Sequence, residues 1–169
     1  AQAALQRLVP GCRIVCFGHL GDGNLHYNVQ APVNMDTEVF LAGVEQWGLE
    51  PTLARTAGMF AMGLWDREDR SLTLVRDRLG KKPLYVAEAG GTLLFGSELK
   101  ALMAHPGLTR RIDRAALASY LRFGHVPGTA AILHGVRKVA PGTIERHTAQ
   151  GRMTVAAYWD LATVAARGR

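Results

Sequence analysis

The chain has 169 residues, 48% hydrophobic and 20% charged, the profile of one globular domain with enough apolar mass for a core. No apolar run reaches the ~18 residues that cross a bilayer, and no basic-then-apolar leader precedes the body of the sequence, which starts at Ala1. The expectation is a cytoplasmic protein without a membrane partner. The net charge of +6 is uneven: residues 1–60 carry three basic and five acidic side chains, and the remainder seventeen and nine. The basic residues alternate with acids, as in "WDREDR" and "RDRLGKK", so a solvated mixed-charge surface is expected and nucleic acid is not.

Residues 3–9 suit a short helix stopped by Pro10-Gly11. "RIVCFGH" (13–19) is β-rich, "LGDGN" supplies turn residues and "LHYNV" (25–29) alternates, which together predict a hairpin. Cys12 and Cys16 fall on one face of that first strand. In extended backbone, positions four apart are separated by about 13 Å, beyond disulfide reach. Two buried thiols in a reducing compartment are expected.

Val39, Phe40, Gly43, Val44 and Trp47 recur at helical spacing, with Asp36 or Thr37 as cap and Gly48 as stop. Pro51 suits the first turn of another helix. From Gly58 the texture changes. "MFAMGLWD", "SLTLVRD", "PLYVAEA" and "TLLFGS" are four short strand-like runs joined by tight turns, which predicts an antiparallel sheet. Both faces of the first run are apolar, as in a strand covered on both sides. In "RDRLGKKPLY", Gly80 permits a turn with positive φ and Pro83 sets the entry to the next strand. Asp77 is expected to satisfy that turn's backbone. Ser97 is expected to cap a short helix with Glu98 in its first turn, and Asp113 and Gly124 to bound a second helix. A closing hairpin turns at Gln150-Gly151, and "LATVAARGR" starts a linker or helix.

Six ordered segments, "DTEVFLAGVEQWG", "GMFAMGLWD", "RDRLGKKPLY", "LLFGSELKAL", "IDRAALASYLRFGHVPG" and "GVRKVAPGT…YWD", resemble the glutaminase domain of glutamine-dependent asparagine synthases. These are class II glutamine amidotransferases. The resemblance covers residues 36–160 and implies an α+β fold: part of an N-terminal-nucleophile-type sandwich of antiparallel sheets flanked by helices. It implies glutamine as substrate, with hydrolysis supplying ammonia for the ATP-dependent amidation of aspartate. ATP and Mg belong to a synthase domain whose pyrophosphate loop the sequence lacks, and no cofactor is expected within this chain. Homodimer formation stays open.

In the family, an N-terminal cysteine attacks the glutamine amide, with its own α-amino group as base. Here Cys12 and Cys16 are internal, and residues 1–35 match neither the family's glutamine-holding arginine nor its asparagine-glycine segment. No catalytic residue is therefore assigned, and this chain alone is expected to lack activity. Asp36 stands where the family's carboxylate binds the α-ammonium of glutamine, a charge-assisted contact. Met35 precedes it, where the family has a small polar residue. Asp36 as a plain helix cap is the competing reading.

"FGHLGDGNLHYNVQAP" resembles a different family, the C-terminal domain of FAD-linked 2-hydroxyacid oxidases of the D-lactate and glycolate type. That likeness implies His19 and His26 as metal ligands, and FAD only if this were the functional part. A solvent-facing hairpin is the competing reading. The expected organisation is a chimera or fragment: residues 1–35 from the oxidase type, 36–160 the C-terminal part of a glutaminase domain, and 161–169 the start of a linker, with the join near 31–42. The alternatives are an oxidase fragment and a non-catalytic interaction module.

Overall fold

The computed structural model describes residues 14–16 and 37–168. Among the described residues, eight strands form two antiparallel sheets. The larger contains β1 (Ile14–Cys16), β2 (Ala61–Asp66), β3 (Ser71–Arg76), β7 (Thr143–Thr148) and β8 (Met153–Ala157), hydrogen-bonded in the order β1-β2-β3-β7-β8. The smaller contains β4 (Tyr85–Ala89), β5 (Thr92–Gly96) and β6 (Val136–Lys138), ordered β5-β4-β6. Five helices accompany them among the described residues: α1 (Thr37–Trp47), α2 (Leu49–Arg55), α3 (Leu99–Met103), α4 (Arg114–Phe123) and α5 (Leu161–Arg167).

The strand alternation sorts side chains into three apolar layers. Met62 and Leu64 of β2, Val75 of β3 and Ile144 of β7 face the helices, packing on Phe40 and Val44 of α1 and Leu53 of α2. Their neighbours Ala61 and Leu74 face the second sheet, meeting Leu84, Val86 and Val139. On the far side of that sheet, Ala87, Ala89 and Leu94 pack beneath Leu102 of α3 and Leu133. The architecture is helix, sheet, sheet, helix, as the family resemblance implies. β2 is apolar on both faces because it serves two of these layers.

Most boundaries follow local chemistry. Asp113 caps α4, its Oδ1 accepting from the Ala116 N–H at 2.9 Å, and Gly124 ends it in the left-handed region at φ 73°. The closing hairpin pairs β7 with β8, from Thr143 opposite Ala157 to His147 opposite Met153. Gly48, at φ 84°, separates α1 from α2. α2 starts at Leu49, two residues before the expected opening at Pro51. The proline still lies in the first turn, where its missing N–H costs nothing. Thr37 is the first residue of α1 and not its cap.

Ser97 is not the cap of α3. The helix begins at Leu99, which puts Glu98 at the cap position, with no side-chain cap bond. Its longer side chain reaches the Lys100 ammonium instead, at 3.1 Å.

Candidate functional site

Asp36, His19, His26 and Cys12 lie outside the described residues. Cys16 is described through its backbone, opposite Gly63 in the β1–β2 ladder. What the fold does define is the frame beside Asp36. α1 starts one residue later and is held on the larger sheet by Phe40 and Val44, 3% and 4% exposed. Among the described residues, no cluster of three or more histidines, cysteines and carboxylates could hold a metal.

The densest polar constellation is the turn after β3. Asp77 is 1% exposed. Its Oδ1 accepts from the Leu79 and Lys81 N–H groups at 3.2 and 2.9 Å, and its Oδ2 from the Lys82 N–H at 2.8 Å. Its carbonyl accepts from the N–H groups of Gly80 and Gly142, both at 3.0 Å. The preceding Arg76 spreads its guanidinium over three carbonyls: Nε donates to Lys82 at 2.9 Å, Nη1 to Val139 at 2.7 Å and Nη2 to Gly80 at 2.6 Å. The Tyr158 hydroxyl donates to the Arg76 carbonyl at 3.0 Å.

The electrostatics follow from this enclosure. Burial lowers the Arg76 pKa, with the Asp77 charge opposing. Burial first and then the Asp77 charge raise the Tyr158 phenol well above its ordinary range, with Arg78 opposing. Burial and the Arg76 charge lower the Lys138 ammonium. Gly80 is confined here: at φ 63°, a Cβ would lie 2.7 Å from Pro141 Cγ and 3.0 Å from Arg76 Cζ. Each guanidinium nitrogen of Arg76 donates to a backbone carbonyl, and both carboxylate oxygens of Asp77 accept from backbone N–H groups. The pair ties the 76–83 turn to the segment 139–142 that leads into β7.

A second polar tie crosses the sandwich. Arg137 of β6 grips Glu145 of β7 with two bonds, Nη1 to Oε1 and Nη2 to Oε2, each 2.7 Å. The Glu145 side chain is only 4% exposed, and His147 Nε2 lies 3.5 Å from its Oε2. The bond to Glu145 raises the Arg137 pKa, against the opposing effect of burial. Neither Tyr158 nor Glu145 is distinguishable as a bonding residue in the sequence, because their partners are 82 and 8 positions away. The one signal at Glu145 is a lone acid inside an alternating run.

Residues 14–159 match the model of a glutamine amidotransferase domain. The chain belongs to that family. It is homologous to the glutaminase domains of asparagine synthetases. Asparagine synthetase (glutamine-hydrolysing) 3 of Bacillus subtilis is 35% identical over 128 residues, covering 75% of this chain and 20% of that protein. A putative asparagine synthetase (glutamine-hydrolysing) of Mycobacterium bovis is 39% identical over 114 residues, covering 66% and 17%. The chain thus spans about a fifth of the length of these curated relatives. Among solved structures, the glutamine phosphoribosylpyrophosphate amidotransferase of Bacillus subtilis aligns with a TM-score of 0.49 at 16% identity, over 75% of this chain and 23% of that one. The span matched to the amidotransferase family includes β1 and runs across the expected join near residues 31–42.

Proposed function

We propose that this amidotransferase chain is the scaffold and glutamine-orienting part of a glutaminase domain that serves an asparagine-forming ligase. Hydrolysis of the glutamine side-chain amide yields glutamate and ammonia. Ammonia then attacks a β-aspartyl adenylate, made elsewhere in the enzyme from aspartate and ATP with Mg, and AMP leaves. Asp36 takes the α-ammonium of glutamine, a charge-assisted bond that fixes which end of the substrate points inward. The observation carrying this reading is that the six ordered motifs between residues 36 and 160 fold as one sandwich within a family match over 14–159.

The 169-residue polypeptide itself is expected to hydrolyse no glutamine. Neither Cys12 nor Cys16 bears a free α-amino group to act as its base. His19 and His26 belong to the segment resembling FAD-linked oxidases and take no part in this amidotransferase chemistry.

Two measurements test the reading. L-Glutamine should raise Tm, by the linkage that adds about 1.4 kcal/mol at tenfold saturation. Asp36→Asn should abolish that rise while leaving the unliganded Tm within about 2 °C. An equal rise in both proteins removes the role of Asp36. Ammonia release above that of a Cys12→Ala/Cys16→Ala control would show that the chain is hydrolytically competent, against expectation. A flavin absorbance band in the purified protein would favour the oxidase alternative.

A further inference from the structure

The segment that follows α4 lies along the smaller sheet as a strap. It covers residues 124–129, with Gly124 at φ 73° and Gly128 at φ 62°, and its residues are exposed apart from Val126. Among the described residues, β6 is an edge strand of that sheet. Lys138, the last residue of β6, holds the strap twice. Its N–H donates to the Thr129 carbonyl at 2.7 Å, and its Nζ donates to the Val126 carbonyl at 2.8 Å. A bridge between Ala130 and Arg137 continues the same contact.

The setting of Lys138 differs from that of the other lysines, Lys81, Lys82 and Lys100. Lys81 and Lys100 are exposed, and Lys100 rests 3.1 Å from the Glu98 carboxylate. Lys138 is half-buried, and no carboxylate among the described residues pairs with it. The ionisable groups set beside it are the Arg76 guanidinium, bonded to the next carbonyl along at Val139, and Tyr85, its opposite residue on β4. Desolvation and a neighbouring cation both disfavour the charged form of an amine. Burial first and then the Arg76 charge favour the neutral amine at Lys138, against the pull of the Val126 carbonyl.

We propose that Lys138 is an acylation site that takes the acyl group of an acyl phosphate, and that its modification frees the 124–129 strap from β6. Lys138 keeps partial exposure beneath an exposed strap, so a reagent of that size can approach. The neutral Nζ attacks the acyl carbonyl carbon. A C–N amide bond forms as the C–O bond to phosphate breaks, inorganic phosphate leaves, and the surplus amine proton passes to water. The product carries no charge, so the charge-assisted bond to the Val126 carbonyl is lost. The acyl group is also added at the atom that touches the strap. The inference stands independently of the glutamine-handling reading.

The test treats the full 169-residue chain with acetyl phosphate and follows each lysine by peptide mass spectrometry. At about pH 7.5, Lys138 should acetylate at least about threefold faster than Lys81 or Lys100. The ratio should fall as pH rises towards about 10.4, the ordinary lysine value, where a lowered pKa gives no advantage. It should vanish in denaturing urea. Hydrogen exchange read by NMR should show the residue-138 amide, which donates to Thr129, exchanging about tenfold faster once the chain is acetylated. Lys138→Arg keeps a cation for the Val126 carbonyl and takes no acetyl group, so the same treatment should leave that amide unchanged. Lys138 reacting no faster than the exposed lysines overturns the proposal. So does a preference that survives urea or ignores pH, or an unaltered residue-138 amide in the acetylated chain.

Discussion

Replacing Arg137 with Ala removes the cation that reaches across the sandwich and leaves the Glu145 carboxylate, 4% exposed, without its two 2.7 Å partners. Breaking a fully buried ion pair from one side costs about 3–5 kcal/mol. Arg137 is itself 39% exposed, so solvent already screens part of the attraction, and the expected loss falls to about 2–3 kcal/mol. Glu145→Gln keeps the shape and leaves the guanidinium partly hydrated, so it should cost about 1 kcal/mol. The double variant Arg137→Met/Glu145→Leu replaces the pair with an apolar contact between sheets and should recover to within about 1 kcal/mol of the parent. Urea unfolding followed by the emission of Trp47, Trp65 and Trp159 measures all three. In thermal scans the Arg137→Ala loss corresponds to a Tm drop of roughly 5–10 °C. Arg137→Ala costing no more than Glu145→Gln, or a double variant as unstable as Arg137→Ala, would refute the claim that an orphaned carboxylate dominates.

Two further outcomes follow from the turn after β3. Asp77→Ala orphans the Leu79, Lys81 and Lys82 N–H groups and should cost about 3 kcal/mol or more. Hydrogen exchange would report it as lost protection at those three amides, and unchanged exchange there would contradict the assignment. Tyr158→Phe removes the bond to the Arg76 carbonyl, at about 1 kcal/mol near neutral pH. The folded Tyr158 pKa is raised, so the folded state holds its proton where the unfolded chain releases it. Stability from this group is complete below about pH 10 and lost as pH rises through the folded value. The gap between parent and Tyr158→Phe should therefore close in alkali. Urea midpoints from pH 8 to 11 that stay parallel would refute this.

Elements with local causes are legible in the sequence. β2, β3, β4 and β5 are short strand-like runs bounded by turn residues, and Asp113 and Gly124 mark α4 by their own side chain and backbone. The sheet assignment is not legible. β3 pairs with β7, Ser71 opposite Thr148, across an intervening sheet of its own. Nothing in either strand's pattern names that partner. The same holds for Tyr158, whose hydroxyl bonds 82 residues back. Ser97 does not cap α3 because the helix starts one residue later than its pattern suggests, and caps depend on that register. Asp36, His19 and His26 lie outside the described residues, so the sequence remains their main witness.

The "RDRLGKKPLY" segment shows why a strong family signature need not be a site. Its most enclosed polar groups are bonded to backbone: Asp77 accepts from three turn amides and Arg76 donates to three carbonyls, with Gly80 under Pro141. Such a cluster is intolerant of change for folding reasons alone, since any truncation leaves a buried polar group unsatisfied. The segment therefore reports which sandwich the chain forms. Substrate handling needs the opposite arrangement, a carboxylate with free acceptor capacity on a rigid support. The start of α1 is fixed on the larger sheet by Phe40 and Val44. If Asp36 holds glutamine as proposed, recognition and fold integrity rest on different motifs of the same family pattern, and variants in the two should separate cleanly into ligand-dependent and ligand-independent losses.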